Sequence, residues 1–184
     1  GKHLLTVHRA LKAQDREFGV GFSTLIAYRV ARILQTVSLR TQVAEPDDML
    51  LHGMLTHKNV VIGYDGEEFV INYGLTSRIA LDDFCRARGR KTCSSEGMNI
   101  FSTGVLLLEM LLGLFPFSKM SLDKQLETFH SIDTQGYGPI FNDLPEPLAA
   151  CVKRALQCEY ESFDEFTQDL ILFFKSIKIA PSNK

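Results

Sequence analysis

The side chains best suited to chemistry lie within residues 50–75, LLHGMLTHKNVVIGYDGEEFVINYGL. In this stretch His57 could act as a general base, and the amides of Asn59 and Asn72 could bind a polar ligand. Nothing nearby builds a nucleophile, a metal site or an oxyanion hole to accompany them. We therefore interpret His57 as a solvated loop histidine, and Asn72 as a residue that ends a strand in preference to a nucleotide contact.

A second group of polar side chains is basic and lies in the run RARGRK, which contains Arg86, Arg88, Arg90 and Lys91. A solvated loop explains such a run. The alternative is a contact with an anion or an acidic partner, because arginine binds carboxylate or phosphate through two parallel hydrogen bonds. The net charge of −2 and the lack of interleaved aromatic residues argue against nucleic-acid binding.

A β-hairpin is predicted directly after the polar loop. The runs NVVIG and EFVIN are β-branched and aromatic and are joined by YDG, in which Asp65 and Gly66 have the chemistry of turn residues. The remaining periodic segments have helical spacing. The predicted fold class is therefore mainly α with a small β-hairpin.

Amphipathic helices are predicted on both sides of this hairpin. The first covers residues 23–39, with Ser23 or Thr24 as its N-cap, and is followed by a polar surface insertion at RTQVAEPDD. Residues 147–157 and 162–177 form two more. The last of these has an inward stripe of Phe163, Phe166, Leu170 and Phe173.

The helix predicted over residues 99–112 is apolar nearly all round, which places it at the centre of the fold. The apolar run VLLLEMLLGLFPF, residues 105–117, overlaps this helix. It is interrupted by Glu109 and is too short to span a membrane. Residues 76–98 have no periodicity and are predicted to be irregular and exposed. Residues 121–130 are predicted to form a short helix with Ser121 as its N-cap.

The cysteines do not have the spacing of a metal site. They have no C-x-x-C pattern and no paired histidines, and four in 184 residues are too few for a disulfide scaffold. We interpret them as reduced structural thiols, with one or two bridges in a secreted protein as the alternative. They are Cys85, Cys93, Cys151 and Cys158.

The order and register of these parts resemble the C-terminal lobe of a protein kinase. HGMLTHKN, residues 52–59, lies over the kinase catalytic loop H-R-D-L-x-x-x-N without a gap, and NYG, residues 72–74, falls where kinases have D-F-G. The central helix resembles D-x-W-x-x-G-V-x-x-x-E-M-x-x-G-x-x-P-F. Its matching positions are Asn99, Phe101, Gly104, Glu109, Met110, Gly113, Pro116 and Phe117.

The resemblance implies that the catalytic residues have been replaced. In kinases the loop aspartate accepts the proton of the attacking hydroxyl, and the loop asparagine and the D-F-G aspartate hold magnesium. Here these positions are Met54, Asn59 and Asn72. A thioether cannot act as a base, and neutral amides are poor ligands for a hard cation. The implied protein is a pseudokinase without cofactor or metal, in which His52 packs against the D-F-G backbone and Gly74 remains from that motif.

Other kinase features are altered. Residues 76–98 are shorter than the usual activation segment, with Glu96 as the remnant of A-P-E, and no arginine precedes the last helix to pair with it. A Gly-rich loop and a strand lysine belong to an N-terminal lobe that should precede Gly1. The resemblance divides a lobe of residues 1–180 into a hinge-like segment 1–22, a degenerate loop and hairpin 50–75, a shortened activation segment 76–98 and a helical subdomain 99–180, with a tail at 181–184.

The expected function is that of an interaction scaffold or an allosteric regulator whose partner is another protein, such as an active kinase or its substrate. Its contact surface is expected at residues 118–145 and in the basic loop. The alternative is an atypical nucleotide-binding enzyme that depends on a missing N-terminal lobe. LIAYRVARILQT followed by His-Gly is also loosely similar to the rhoptry kinases and pseudokinases of apicomplexan parasites. The protein would be cytoplasmic, or a secreted effector if that similarity holds.

Overall fold

The computed structural model describes residues 1–44, 52, 55–72, 95–113, 117, 120–121, 124–125, 127–128 and 141–177. This part of the chain is mainly helical with a small antiparallel sheet, as the sequence predicted. Its elements are β1 (Lys2–His3), α1 (Leu4–Lys12), α2 (Val20–Ala44), β2 (Val60–Ile62), β3 (Glu68–Val70), α3 (Ser95–Leu112), α4 (Glu146–Leu156) and α5 (Phe163–Ser176). None of the described helices is long and apolar enough to cross a membrane.

Helix α2 begins earlier than its sequence predicted. The Ser23 amide donates to the Gly19 carbonyl at 2.9 Å, so helical bonding starts upstream of the predicted N-cap. Ser23 and Thr24 are fully buried, and the Thr24 hydroxyl donates to the Val20 carbonyl at 2.8 Å, as hydroxyls within helices do. Neither residue caps the helix, because the small side chains are needed where α2 packs closely on its neighbours.

The same helix also runs further than predicted. Residues 40–44, assigned above to a polar insertion, are the last helical residues of α2, so the break was placed too early. Helix propensity in RTQVA is adequate without an apolar stripe, because arginine, glutamine and alanine are good helix formers. Residues 45–50, which include Pro46, lie outside the described residues.

Helix α3 is the centre of the molecule. Every residue from 97 to 110 is buried, as its all-round apolar sequence predicted, and α2 and α4 pack against it. The helix starts at Ser95, so the expectation of an irregular exposed segment is wrong for residues 95–98, where Met98 is completely buried. Residues 76–94 lie outside the described residues.

The closest approach of α3 to α4 occurs at Gly104. A Cβ atom on this glycine would lie 2.7 Å from the Cβ of Ala155, closer than two carbon atoms can pack. Glycine at this position lets the two helices approach, and the aromatic side chains on either side then close the core.

Helices α4 and α5 confirm the two predicted C-terminal helices within a residue or two. The stripe of Phe163, Phe166, Leu170 and Phe173 is buried to 1% exposure or less. Burial of each such side chain contributes about 1.5–3 kcal/mol. The Ser162 hydroxyl accepts a hydrogen bond from the Glu165 amide at 3.3 Å and caps α5.

A buried polar network ties α4 to α5. The Tyr160 hydroxyl donates to the Asp169 carboxylate at 2.6 Å, the Arg154 guanidinium donates to the same oxygen, and its carbon lies 4.2 Å from the centre of the Tyr160 ring. Burial raises the pKa of Cys151 to about 12. Cys151 and Cys158 are buried, whereas Cys85 and Cys93 lie outside the described residues.

The sheet has three strands in the order β1–β2–β3, all antiparallel. The predicted hairpin is confirmed, with Val60 opposite Val70 and Val61 opposite Phe69. Strand β1 and helix α1 were not predicted, because two extended residues give no periodicity. In the predicted helix 121–130, the described residues 124–125 and 127–128 are helical, and the Lys124 amide lies 3.5 Å from the Ser121 hydroxyl.

Candidate functional site

The degenerate loop and the hairpin meet at one corner of the sheet. Asn59 directly precedes β2 and Asn72 follows β3 by two residues. The Ile71 amide donates to the Asn59 carbonyl at 2.9 Å, which extends the β2–β3 ladder by one step. This register brings together two side chains that are thirteen positions apart: Asn72 Nδ2 donates to Asn59 Oδ1 at 3.0 Å.

The two residues that form this contact are both neutral amides. Asn59 is 8% exposed, and its side-chain oxygen, which could ligate a cation, already accepts the hydrogen bond from Asn72. Asn72 has φ of 64°, a left-handed conformation that asparagine tolerates better than most residues. Among the described residues, no group of three or more His, Cys, Asp or Glu side chains could hold a metal ion. Two neutral amides can fix each other but cannot balance Mg²⁺ and phosphate.

His52 lies beneath this corner and is almost completely buried. Its Nε2 is 2.8 Å from the Ile71 carbonyl oxygen, one residue before Asn72. Burial lowers the pKa of His52, and the hydrogen bond to the Ile71 backbone opposes part of that shift. The neutral ring therefore donates Nε2–H to the carbonyl, and its part here is to hold the backbone that positions Asn72.

His57 is not the solvated loop histidine that the sequence suggested. It is 5% exposed, and its Nδ1 lies 4.0 Å from Oε2 of Glu109, a residue of α3 that is 1% exposed. The His57 carbonyl also accepts a hydrogen bond from the Leu5 amide at 3.1 Å. Glu109 was the available signal, because a carboxylate in the middle of a buried apolar helix requires polar partners.

The first residues of the chain fasten the same loop. His3 Nδ1 lies 2.8 Å from the Lys58 carbonyl oxygen, and β1 pairs with β2 so that His3 is opposite Val61. The segment predicted as hinge-like, residues 1–22, thus contains a strand and a helix, and both contact the loop before β2.

An ion pair fixes the hairpin to α2. Arg29 Nη1 lies 2.9 and 3.0 Å from the two carboxylate oxygens of Glu68 and 3.1 Å from the Gly66 carbonyl. The Glu68 side chain is 6% exposed, whereas that of Arg29 is 33% exposed. This contact joins the turn end of the hairpin to α2, so the hairpin cannot move away from α2 without separating the two charges.

Glu96 has a different partner from the arginine that the kinase pattern would supply. Its Oε2 accepts a hydrogen bond from the backbone N–H of Phe163 at 3.2 Å. Phe163 is the first residue of α5, where unpaired N–H groups and the helix dipole favour a carboxylate. The start of α3 is therefore joined to the start of α5 without an arginine.

Several predicted site residues lie outside the described residues. They are Met54 and Gly74 of the degenerate motifs and Arg86, Arg88, Arg90 and Lys91 of the basic loop. Of the predicted set, His52, Asn59 and Asn72 are brought together. Arg29 is a supporting residue that sequence reasoning did not assign, and the partners of Glu109 and Glu96 were not predicted.

No protein-family model matches the chain, and no curated protein matches it with significant similarity.

Proposed function

We propose that the chain is a kinase-like C-terminal lobe that has lost phosphoryl transfer and acts as a scaffold or allosteric regulator of another protein, such as an active kinase or its substrate. The observation that carries the proposal is the 3.0 Å hydrogen bond from Asn72 to Asn59. In the kinase alignment these are the D-F-G and catalytic-loop positions, where the reaction needs charge to hold magnesium.

The framework around the pair supports the same proposal. His52 contacts the backbone before Asn72, and Glu96 joins the central helix to α5. At the position of the catalytic base the sequence has Met54. Phosphoryl transfer depends on positioning and on charge stabilisation. A lobe that holds these positions in place but has neutral side chains there can still bind a partner through its surface, but it cannot catalyse the transfer.

The direct test is thermal unfolding of the 184-residue chain with millimolar ATP, in the presence and absence of Mg²⁺. A ligand that binds the folded state raises the unfolding midpoint once its concentration exceeds Kd. The expected result is no Mg²⁺-dependent shift, together with no transfer of labelled phosphate to a generic protein substrate. A reproducible Mg²⁺-dependent shift would favour the atypical nucleotide-binding enzyme instead.

Variants make the result specific to this corner. Asn72→Asp alone, and with Met54→Asp, restores the missing carboxylates. We expect neither variant to gain phosphotransfer, because the lobe alone lacks the groups that cradle the phosphates. The matched control is Asn142→Asp, which adds the same charge at an exposed residue outside the corner. Activity in the double variant but not in the control would contradict the scaffold proposal.

The partner surface is tested separately. Residues 118–145 and the basic loop are proposed contact regions because kinase lobes often bind partners there. Alanine changes across both regions should release a co-purifying protein partner. Retention of every such partner would show that the surface lies elsewhere.

A further inference from the structure

The two faces of the small sheet differ in what covers them. Val60 and Val70 are opposite each other and are at most 9% exposed, because they pack towards α2. Side chains alternate between faces along a strand, so the next row, His3, Val61 and Phe69, lies on the opposite face. Phe69 is 49% exposed.

The hairpin turn adds a second exposed aromatic side chain. Tyr64 is 89% exposed, the highest value among the large hydrophobic residues of the described chain. The Phe69 ring reaches over Gly63, the residue before Tyr64. Its Cε2 would lie 3.4 Å from a Cβ atom placed on Gly63. Tyr64 in the turn, Phe69 and the half-buried Val61 are here together called the hairpin face. Exposed aromatic patches of this kind are typical of interaction sites.

The rim of the hairpin face is acidic. Asp65 and Glu67 are exposed, and neither forms an ion pair with any described residue. Asp65 Oδ1 accepts a hydrogen bond from the Glu67 backbone amide at 3.1 Å, which fixes the turn and the Asp65 carboxylate. Fixed groups lose less conformational freedom on binding than mobile ones.

Neither Arg29 nor Lys2 forms an ion pair with this rim. Arg29 is held by both carboxylate oxygens of Glu68. Lys2 is opposite Ile62, which is opposite Glu68, so the alternation of side chains places Lys2 on the other face from Phe69. The hairpin face therefore combines exposed aromatic area with two uncompensated negative charges.

We propose that the hairpin face binds a segment of a partner protein in which apolar side chains are flanked by lysine or arginine. Tyr64 and Phe69 would cover the apolar side chains, and Asp65 and Glu67 would pair with the basic flanks. The match is one of charge as well as of apolar area, and complementary charge of this kind selects partners and speeds association. The proposal does not depend on the kinase resemblance.

The probe is a random peptide display library, selected on the 184-residue chain and counter-selected on Tyr64→Ser/Phe69→Ser. Recovered peptides are then synthesised, and their Kd is measured by fluorescence anisotropy. We expect peptides with Leu, Ile, Phe or Tyr next to Lys or Arg. The double variant should weaken their binding about tenfold or more, as loss of interface aromatic residues does.

Charge is tested with Asp65→Asn/Glu67→Gln, which keeps the size of both side chains. We expect about threefold weaker binding at low salt and a smaller difference at high salt, because exposed charges are screened. The matched control is Leu172→Ser on α5, a side chain 48% exposed and thus comparable to Phe69. It should change Kd by less than about twofold, the range of an uninvolved surface change.

Several outcomes would overturn the proposal. They are recovery of no peptides, recovery of acidic peptides, and equal binding by the double variant or equal loss in Leu172→Ser. Self-association of the wild-type chain that Tyr64→Ser/Phe69→Ser abolishes would assign the face to a second copy instead. If the double variant fails to fold by circular dichroism, Tyr64→Ser alone carries the test, since its side chain lies outside the core.

Discussion

The helical layers around α3 and the polar corner at Asn59 and Asn72 are held by different interactions. In the helical layers every residue from 97 to 110 is buried, and a large apolar core is supplemented by polar contacts such as that of Tyr160 with Asp169. At the corner the described contacts are individual hydrogen bonds, and Asn72 is exposed. We therefore expect the layers to contribute more to stability than the corner.

This difference implies that the two regions tolerate the exchange of polar side chains differently. Exchange of a carboxylate for an amide at the corner alters a few hydrogen bonds, which contribute about 0.5–1.5 kcal/mol each. The same change among the side chains facing α3 would bury an unsatisfied polar group. Substitutions in the two regions should therefore differ several-fold in their effect on the free energy of unfolding.

The largest effect is expected for Phe166→Ala. Phe166 is completely buried and meets the Tyr160 ring edge-on, with centroids 5.2 Å apart. Removal of the ring should lower the free energy of unfolding by about 3–5 kcal/mol, measured by urea denaturation. Leu172→Ala, on the exposed side of the same helix, is the control and should cost less than about 1 kcal/mol. Equal losses would show that α5 is not packed as described.

A smaller loss, about 1–2 kcal/mol, is expected for Gly104→Ala. Overpacking against Ala155 typically costs about 1–3 kcal/mol, and the better helix propensity of alanine returns up to about 1 kcal/mol. The double variant Gly104→Ala/Ala155→Gly should recover part of the loss. Urea denaturation of all four proteins gives the coupling free energy. A coupling of zero would mean that the two Cβ positions do not compete for space.

Where the hairpin contacts α2, Arg29→Met should lower the free energy of unfolding by about 1–2 kcal/mol. Methionine keeps most of the side-chain length, but Glu68 is left as a buried carboxylate without its cation. The cost is limited because Arg29 is one-third exposed and water screens the pair. Arg32→Met, one turn along the exposed side of α2, is the control. A loss as large as that of Phe166→Ala would remove the distinction between the two regions.

The smallest effect is expected from pH. Burial lowers the pKa of His52 and of His8 below the ordinary value of 6.5, so the folded chain binds fewer protons there than the unfolded chain. Their contribution to stability is fully present above pH 6.5, and it is lost as the pH falls from 6.5 through the lowered pKa values. The unfolding midpoint should fall over that range. His8→Gln/His52→Gln should flatten this part of the profile, and an unchanged slope would contradict the assignment.

The helices were predictable to the extent that burial follows sequence periodicity. The apolar stripe of α5 must face the core, and α3, which is apolar nearly all round, must lie within it. Both placements were predicted. The ends of α2 were not, because Ser23 and Thr24 resemble caps by type while their burial depends on tertiary contacts. Similarly, strand β1 exists because of its partner β2, and no local pattern of two residues reveals such pairing.

At the site, the sequence indicated which residues belong together but not what holds them. The resemblance implied that His52 packs against the backbone near Asn72, and His52 Nε2 lies 2.8 Å from the Ile71 carbonyl oxygen, whereas the Asn59–Asn72 contact was not predicted. The roles of His57, Arg29 and Glu96 depend on distances across the fold, between residues 37 to 67 positions apart in the bonded pairs. A single sequence contains no information on such pairings beyond the rule that buried charges need partners.

The fastening of β1 and α1 to the loop has a consequence for the order of folding. His3 and Lys58 are 55 positions apart, so the formation of their contact closes a long loop and costs more chain entropy than the short loop of the hairpin. The hairpin should form first and the N-terminal residues should join late. In pulsed hydrogen exchange during refolding, the Ile71 amide should become protected before the Leu5 amide. Strand β1 and helix α1 precede the hairpin in the sequence, but they would then join the described fold after it.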